Sequence, residues 1–517
     1  MKFIKKLYNI FATIFSRRII IILLILGEVV FLIGSVLVMG EVYYIVDAVL
    51  GIIAFILSLY IVNRDEDPAY KIAWLIPLLL FPVLTAFLFL FFKMQVSLQL
   101  IKKGHVKVLD ETKDCLQPDE RTMEYLEAES PKLAGYCRYM QKYAGYSVAA
   151  NSLADYYPSG EKVFPDIKEA LESAEKFIFM EFFIINEGKM WNEVLDILKR
   201  KAAAGVDVRL IYDGFGSQMA LPSGYHKKME AVGVKTRIFS PFTPFLSTSQ
   251  NNRDHRKIIV VDGKTAFTGG FNMADEYINE KERFGYWKDG GIRISGDAVY
   301  NCTVMFLRMW AFLTKEKVDC ESFKAPSEKL DCPEGSFMLP FSDSPIDDEA
   351  VGKLTYLNII NNAKRYVYIS TPYLVLDSDM VTAMEYATKS GVDVKLLLPG
   401  IPDKKYMKMI AQSQYKKLLK KGVELYEFDK GFVHEKLFVS DDNIAVSGSI
   451  NLDYRSLYLH FECGTFMYGQ SCIADMKNDY LEMITKHSSR ITEQWIKDIP
   501  LWQKFAGTLL NVISSLL

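Results

Sequence analysis

The chain has 517 residues, of which 50% are apolar and 24% charged, and its formal net charge is −2. This length exceeds one ordinary domain, so at least two buried cores are expected. Bulk binding to nucleic acid requires many phosphates to be neutralised, and the near-zero charge provides no global basic field for it. We therefore expect no nucleic-acid partner.

The apolar excess lies at the N-terminus. Three apolar runs, at residues 19–39, 43–62 and 72–92, each approach the roughly 20 residues that a helix needs to cross a bilayer. Glu28 falls inside the first run, but its cost of about 3 kcal/mol is outweighed by the apolar residues around it. The connection between the first two runs is very short, so two or three spans both fit. Residues 1–95 are predicted to be a transmembrane region, and the two later runs disfavour a cleaved signal peptide.

The orientation of this region follows from the basic residues before the first run, which are Lys2, Lys5, Lys6, Arg17 and Arg18. The positive-inside bias places the N-terminus on the cytoplasmic side. Two spans would leave the rest of the chain in the cytosol, and three would place it outside.

The cysteine spacing indicates no metal site and no clear disulfide framework. The seven cysteines stand at irregular positions, and no two of them form a CxxC pair.

After a charged connector at residues 96–150, the chain alternates strand-like runs with amphipathic helices, which indicates an α/β fold. The first half predicts helix, strand, helix and strand at residues 167–174, 176–185, 191–204 and 206–212. The second half repeats this order at residues 354–364, 366–372, 380–390 and 392–398. The segments GVDVRL (205–210) and GVDVKL (391–396) make the correspondence nearly literal. We predict a duplication into two tandem lobes, residues 151–325 and 326–517, each with a mixed sheet flanked by helices.

Each lobe carries one copy of a polar motif, and the internal spacing of the two copies is identical. The first copy, HRKIIVVD and the residues after it, contributes His255, Lys257, Asp262, Gly269, Gly270 and Asn272. The second copy, HEKLFVSD and the residues after it, contributes His434, Lys436, Asp441, Gly448, Ser449 and Asn451. An incidental surface histidine and lysine would explain one copy equally well, but not two copies with matched offsets.

The motif suits phosphoryl transfer. An H-x-K pair on a strand points both side chains to the same face. A neutral imidazole serves as nucleophile or general acid/base, while lysine and asparagine bind phosphate oxygens as charge develops. The glycine pair lets backbone amides approach an anion closely. None of these steps needs a metal.

Both segments closely resemble the paired HxKxxxxD motifs of the phospholipase D superfamily, and the resemblance covers roughly residues 150–517. Within that superfamily the context looks like that of cardiolipin synthases, in NNRDHRK (251–257), GGFN (269–272), DEY (275–277), NLDYRS (451–456) and FE (461–462). The N-terminal runs fit the same subgroup. The resemblance implies a multi-pass protein of a bacterial-type cell membrane, with phosphatidylglycerol and other membrane phospholipids as its partners.

The resemblance also implies a double displacement. One motif histidine attacks the phosphorus of a phosphatidylglycerol, and the other protonates the departing glycerol and then activates a second phosphatidylglycerol. Superfamily precedent favours His255 as nucleophile and His434 as acid/base, but the near symmetry of the motifs leaves the reverse assignment open. No metal and no soluble cofactor are implied.

Further roles follow from the same resemblance. Two lysines and two asparagines would hold the phosphate, with a hydroxyl from Ser449 in the second copy where the first copy has Gly270. Glu181 and Glu462 resemble the acidic residues that orient the imidazoles, although a paired buried carboxylate would explain either equally well. Asp262 and Asp441 are better suited to holding loops than to transferring protons. His460, near the second motif, is compatible with a supporting role at the site, although ordinary packing is the more frequent explanation for such a histidine.

Three other functions use the same residues differently. A hydrolytic phospholipase D would pass the phosphatidyl group to water. A nuclease of this superfamily can function with one short motif-bearing subunit and needs no membrane spans. A membrane scaffold with a degenerate site is disfavoured because both motifs are intact.

Three segments have compositions that suit a lipid surface: the lysine-rich stretch at residues 402–425, the loop with Phe242, Phe245 and Leu246, and the amphipathic run at residues 502–517. A solvated helix face explains the first equally well, and a packed loop the second. The third is expected to pack on the second lobe or on the membrane.

Overall fold

The computed structural model describes residues 26–27, 30, 33–34, 41–93, 96–117, 119–218, 220–241 and 250–516. The chain divides into two compact units. The N-terminal unit takes in residues 1–101, 242–251 and 509–517, and the main unit takes in residues 102–241 and 252–508.

Among the described residues, the N-terminal unit contains the apolar helices α1 (Glu41–Val62), α2 (Pro68–Leu80) and α3 (Pro82–Lys93). Within the residues described, one helix is long and apolar enough to cross a membrane, at Tyr44–Val62. The predicted third run, residues 72–92, is not one continuous helix. It breaks at Phe81, because Pro82 has no amide hydrogen and disfavours a helical backbone in the residue before it. Most of the first run lies outside the described residues.

The predicted connector is helical, and from residue 102 onward it belongs to the main unit. It contains α4 (Val96–Glu111), α5 (Glu120–Glu129) and α6 (Pro131–Tyr139). Arg308 donates from Nε to the hydroxyl of Thr112 at 2.9 Å. A disulfide joins Cys115 to Cys320 with the Cα atoms 6.0 Å apart. These two cysteines could not be paired by sequence analysis, because they are 205 residues apart.

The first lobe begins at residue 152. Its elements are β1 (Ser152–Tyr157), α7 (Gly160–Ser173), β2 (Phe177–Phe182), α8 (Lys189–Ala203), β3 (Asp207–Asp213), α9 (Tyr225–Ala231), β4 (Lys235–Phe239), β5 (Arg253–Asp254), β6 (Lys257–Val261), β7 (Thr265–Gly269), β8 (Tyr286–Lys288), β9 (Gly291–Gly296) and α10 (Ala298–Thr314).

The second lobe follows from residue 337. Its elements are β10 (Phe337–Asp343), α11 (Val351–Asn362), β11 (Tyr366–Ser370), α12 (Ser378–Lys389), β12 (Asp393–Pro399), α13 (Lys405–Lys420), β13 (Glu424–Phe428), β14 (Gly431–Val433), β15 (Leu437–Ser440), β16 (Ile444–Gly448), α14 (Tyr454–Tyr458), β17 (His460–Tyr468), α15 (Cys472–Lys486), β18 (Ser488–Arg490), α16 (Glu493–Asp498) and α17 (Leu501–Val512).

The two sheets have the same strand order, which confirms the predicted α/β duplication. The first sheet runs β1-β9-β7-β6-β2-β3-β4, and the second runs β10-β17-β16-β15-β11-β12-β13 with β18 added at its edge. The sheets are mixed: β2 pairs parallel with β3 and antiparallel with β6, and β11 pairs the same way with β12 and β15. The central strands β2, β6, β11 and β15 are buried along their whole length, because helices and the other lobe cover their faces.

Two short parallel strand pairs connect the lobes. In one pair, Arg253 and Asp254 of β5 lie opposite His460 and Phe461 of β17. In the other, β14 pairs with β8, so that Val433 lies opposite Lys288. The first pair ends immediately before one motif histidine, and the second pair ends immediately before the other.

Candidate active site

The strand pairs between the lobes bring each motif histidine beside a carboxylate of the opposite lobe. The backbone amide of His255 donates to the carbonyl of Phe461 at 2.9 Å, and that of His434 donates to the carbonyl of Lys288 at 2.7 Å. In both cases the next residue of the accepting strand is acidic. Glu462 therefore lies at the first histidine and Asp289 at the second.

Both imidazoles contact these carboxylates through Nδ1. His255 Nδ1 is 3.0 Å from each carboxylate oxygen of Glu462, and His434 Nδ1 is 2.8 Å from Oδ2 of Asp289. Both carboxylates are fully buried and each histidine is 7% exposed. A neutral imidazole that donates its Nδ1–H has a lone pair on Nε2. Each histidine is thus held in the tautomer that can attack phosphorus or take up a proton.

The charge state agrees with this tautomer. Burial, together with the charge of Lys436, lowers the pKa of His434 to about 4. Burial and the charges of the two motif lysines lower the pKa of His255 well below its usual value. Burial also lowers the pKa of Lys257 to about 8 and that of Lys436 to about 7. Both imidazoles are therefore neutral near pH 7.

The motif lysines lie beside the histidines, as the H-x-K spacing predicts. Lys257 donates from Nζ to the backbone carbonyl of His255, and Lys436 does the same to that of His434. Both lysines are buried, with 0% and 2% of their surface exposed. They place two amines at the point where the two lobes meet.

A network of hydroxyls surrounds Glu462. The hydroxyls of Ser449 and Ser456 donate to its two carboxylate oxygens, the second at 2.7 Å. Ser449 also accepts from the amide of Cys463 at 3.0 Å. The hydroxyl predicted to bind phosphate is thus directed at the carboxylate instead, because Ser449 is paired in the sheet with the strand that bears Glu462.

His460 also faces this carboxylate. Its Nδ1 lies 3.6 Å from Oε1 of Glu462, and its ring centroid is 5.5 Å from that of His255. Arg455 donates from Nε to its Nε2 at 3.3 Å. Packing was expected for His460, but the structure makes it a neighbour of the site. Burial lowers its pKa to about 3, so the ring is neutral.

The two motif asparagines are held differently. Asn272 accepts from the amide of Ile184 at 3.0 Å and donates to the hydroxyl of Tyr277 at 2.7 Å, which leaves one amide hydrogen for a phosphate. The carbonyl oxygen of the Asn451 side chain is buried without a hydrogen-bond partner. A phosphate-binding role remains a proposal for both.

The glycines do not form an anion-binding backbone. A Cβ at Gly269 would lie 2.5 Å from the carbonyl oxygen of Gly290, and one at Gly448 would lie 2.2 Å from that of Cys463. The amides of Gly270 and Ser449 donate to these same carbonyls at 3.0 and 2.8 Å. The expectation of amides aimed at a phosphate was wrong, because the neighbouring strand occupies the space and uses the donors.

Glu181 does not orient a motif histidine. It forms a buried ion pair with Arg256, which also bonds to Asp254 at 3.1 Å. Of the two explanations that the sequence left open for Glu181, the structure thus shows the paired buried carboxylate. Strand β2 points this side chain at the residue between the histidine and the lysine of its own lobe. The second lobe has Ser370 at the corresponding position, four residues after the start of β11.

Asp262 and Asp441 lie at the far ends of β6 and β15, away from the histidines. The carboxylate of Asp262 accepts from the amides of residues 175, 176 and 177 at 2.7–2.8 Å. That of Asp441 accepts from the amides of residues 364, 365 and 366 at 2.7–3.0 Å. The structure thus places them as loop anchors and not as groups that can reach a reacting atom.

Asp289 was not among the predicted site residues, although the duplication contained the signal. Gly291 pairs with the motif glycine Gly269, and Gly464 pairs with the motif glycine Gly448. Two residues before each pairing glycine stand Asp289 and Glu462, in the segments DGG and ECG. Aligning the two copies beyond the motif would have matched these acids.

Three side chains of the site offer metal-binding atoms. One atom each from His255, His460 and Glu462 lie within 4.8 Å of one another, and imidazole with carboxylate is a donor set that zinc accepts. The Nδ1 of His255 is already engaged with Glu462. A metal bound there would replace the hydrogen bond that orients this imidazole.

Comparison with known proteins agrees with the fold and the paired motifs. The family described as cardiolipin synthase, PLD-like domain, matches residues 167–310 and 356–484, and the family described as phospholipase D-nuclease N-terminal matches residues 52–93. An uncharacterized protein of Streptococcus mutans is 43% identical over 459 residues, which is 89% of this chain and 99% of that protein. A cardiolipin synthase of Geobacillus kaustophilus is 33% identical over 466 residues, 89% of this chain and 91% of that protein.

Among solved structures, phosphatidylserine synthase from Haemophilus influenzae superposes with a TM-score of 0.57 at 15% identity, over 74% of this chain and 100% of that one. This likeness concerns the fold. The two-lobed fold and the family matches define a phosphatidyltransferase of the phospholipase D superfamily. The chain belongs to the cardiolipin synthase family of that superfamily. Membership of this family and the apolar helix α1 indicate a membrane protein that acts on phospholipids.

Proposed function

We propose that the protein joins two molecules of phosphatidylglycerol to give cardiolipin and glycerol, through a phosphatidyl-histidine intermediate. The observation that supports this most directly is the pair of imidazoles, each oriented through Nδ1 by a buried carboxylate of the other lobe. A double displacement needs one nucleophile and one acid/base, and two imidazoles held in the same tautomer provide both.

In the first step, Nε2 of His255 attacks the phosphorus of the donor phosphatidylglycerol. The N–P bond forms as the P–O bond to the headgroup glycerol breaks, and His434 gives a proton to the departing oxygen. A negative phosphodiester beside the imidazoles opposes the effect of burial and raises the pKa of His434, which favours the protonated form that this step needs. Exchanging the roles of the two histidines leaves the atom and proton balance of the reaction unchanged.

In the second step, the headgroup glycerol of another phosphatidylglycerol attacks the same phosphorus. Neutral His434 takes the hydroxyl proton, the new P–O bond forms, and the N–P bond to His255 breaks. Lys257 and Lys436 are the groups proposed to neutralise the charge on the phosphate oxygens, because both amines lie beside the histidines. No net proton is consumed over the two steps.

We also propose a multi-pass location in the cell membrane. The support is the apolar run at residues 19–39, which precedes α1 in the sequence and is as long as a span. Basic residues before that run favour a cytoplasmic N-terminus.

The test uses purified full-length protein in detergent with phosphatidylglycerol as the only lipid, and follows cardiolipin and released glycerol together. We expect equal amounts of both from the wild type and neither from His255→Ala or His434→Ala. His226→Ala is the matched control, because this histidine lies on α9 and not among the residues of the site. Phosphatidic acid in place of cardiolipin would identify a hydrolase, and no turnover of phospholipid would contradict the proposal altogether.

A trapping experiment assigns the nucleophile. With a phosphatidyl donor labelled at phosphorus whose leaving group needs no proton, such as p-nitrophenol, a variant without the acid/base is expected to retain label on the remaining histidine, because the first step then proceeds without the acid while the second step still needs the base. Label on His255 in His434→Asn, and none on His434 in His255→Asn, would support His255. The opposite result would exchange the two roles.

A further inference from the structure

Helix α17 exposes a stripe of large apolar side chains. The exposed fractions are 82% for Leu501, 64% for Trp502, 67% for Phe505 and 55% for Leu509. Their spacing places them along one face of a helix, since residues three and four apart are neighbours on its surface. Single exposed apolar residues are ordinary, but a row containing tryptophan and phenylalanine on one helix indicates a contact surface.

The opposite face of the same helix is already packed. Gly507 is the buried residue of α17, and a Cβ there would lie 2.3 Å from the carbonyl oxygen of Met409 in α13. Helix α13 in turn packs against α16, where the rings of Tyr415 and Trp495 are 5.9 Å apart. The close approach at the glycine fixes the rotation of α17. Its apolar stripe is therefore directed away from the fold by packing.

The charge of this region suits an anionic surface. Helices α13 and α17 together contain no acidic residue and six lysines, of which Lys408 is paired with Glu427 and the other five are at positions 405, 416, 417, 420 and 504. Basic residues near an apolar helix face add attraction to anionic lipid headgroups. The proposed substrate, phosphatidylglycerol, is itself anionic.

The chain after this stripe leads into the apolar unit. Residues 509–517 cluster with the N-terminal unit, and within that unit the turn at Ser514–Leu516 contacts α2. The last part of α17 thus belongs to the same compact unit as the apolar helices. A helix with this amphipathic character and this continuation has the features of a segment that lies in the interface plane of a membrane.

We propose that α17 lies in the headgroup region of an anionic bilayer, with Trp502, Phe505 and Leu509 directed at the acyl chains. This inference rests on the proposed membrane location but not on the proposed chemistry. The partner is the lipid surface itself, and a second copy of the chain is an alternative that the test separates. The helix would hold the second lobe against the bilayer from which the lipids are drawn.

The test places an environment-sensitive fluorophore on full-length protein in proteoliposomes of phosphatidylglycerol and phosphatidylcholine. Cys332→Ser is the background, because the other four free cysteines are buried. The label is attached at Phe505→Cys, with Leu509→Cys as a second position on the same stripe. Tyr386→Cys on α12, 66% exposed, is the matched aqueous control, and Ile53→Cys in α1 is the lipid control.

We expect blue-shifted emission at positions 505 and 509, quenched by lipids brominated on the acyl chain, and unshifted emission without quenching at position 386. Emission at 505 and 509 like that at 386 would overturn the inference. Blue-shifted emission without lipid quenching would show that protein, such as a second copy, covers the stripe, and would overturn it as well. If the label at position 53 also reports water, the membrane location itself is wrong.

Discussion

The two lobes have one strand order and one motif, yet they support their partner's histidine in different ways. Glu462 of the second lobe accepts hydrogen bonds from two serine hydroxyls in addition to His255. Asp289 of the first lobe, which orients His434, bonds instead to the amide of Gly290 at 2.9 Å and to the indole of Trp287 at 3.3 Å. The duplication thus conserves the scaffold, and the asymmetry needed for two chemical roles resides in the surroundings of the carboxylates.

The exchange of Gly270 for Ser449 belongs to this asymmetry. A Cβ at Gly270 would lie 2.0 Å from Oδ1 of Asp289, so the shorter carboxylate occupies the place of a side chain. At the corresponding place in the other lobe, Ser449 has room because the longer Glu462 side chain leaves space for its hydroxyl. What looks like a missing hydroxyl in the first copy is space taken up by the carboxylate.

The largest expected effect comes from the carboxylates. Glu462→Gln should lower kcat by about 10³–10⁴-fold and Asp289→Asn by about 10²-fold, because an amide no longer favours the Nδ1–H tautomer. Glu462→Gln should lower kcat more, since two hydroxyls and the imidazole all contact the carboxylate and glutamine keeps only one acceptor oxygen for them. Steady-state cardiolipin formation measures both, with the exposed Asp475→Asn as control. A greater loss of kcat in Asp289→Asn than in Glu462→Gln would contradict the expectation that Glu462 contributes more than Asp289.

The second prediction concerns the small residues beside the carboxylates. Gly270→Ala should lower kcat by roughly 10²-fold, because the new methyl group displaces Asp289 and, with it, His434. Ser449→Gly should lower kcat only about tenfold, which corresponds to the loss of one hydrogen bond to a charged group. The same assay compares the two variants, and thermal melting checks that both are folded. Equal losses would show that the space around Asp289 is not limiting.

The third prediction is a pH dependence. The pKa values of about 7 for Lys436 and about 8 for Lys257 mean that both ammonium charges are lost as the pH rises through this range. The value of kcat/KM, which reports the free enzyme, should therefore fall above pH 7. Lys436→Arg should move this fall in kcat/KM to higher pH, because a guanidinium stays protonated. If kcat/KM of Lys436→Arg falls over the same pH range as that of the wild type, loss of the Lys436 charge is not the cause of the fall.

The smallest effect on activity is expected at the loop anchors. Asp262→Ala and Asp441→Ala each remove a carboxylate that accepts three amide hydrogens at a residue with φ of +53°. Each should lower the free energy of unfolding by about 2 kcal/mol, equally in the two lobes, while kcat of the folded protein stays unchanged. Urea unfolding and the cardiolipin assay measure the two quantities. A large fall in kcat at an unchanged free energy of unfolding would show that these two carboxylates take part in the reaction.

The sequence predicted what is local or repeated and missed what the tertiary fold alone brings together. Strand and helix periodicity located the central elements, and the duplication located both histidines. Glu462 was found because the family resemblance included it. Asp289 was missed although the duplication contains its signal, because it lies outside the matched motif, two residues before the glycine that pairs with Gly269. For Glu181 the sequence left two roles open, because its partner Arg256 is identified only by the pairing of β2 with β6.

Other differences have equally particular causes. The break at Phe81 could have been predicted from the sequence, because Pro82 interrupts the third apolar run. The disulfide between Cys115 and Cys320 could not, because 205 residues separate the two cysteines. The motif glycines were expected to line an anion site, but the neighbouring strand fills that space, which only the sheet register reveals.

The two strand pairs between the lobes also constrain how the enzyme can move. Because β5–β17 and β14–β8 end at the two histidines, a hinge rotation that separated the lobes would pull both imidazoles from their carboxylates in one movement. Opening and inactivation would then be the same event. In the proposed double displacement, the protein could not open around each lipid and close again between the two steps without losing both oriented imidazoles. Lipids would have to enter and leave while the two lobes stay joined by these strand pairs.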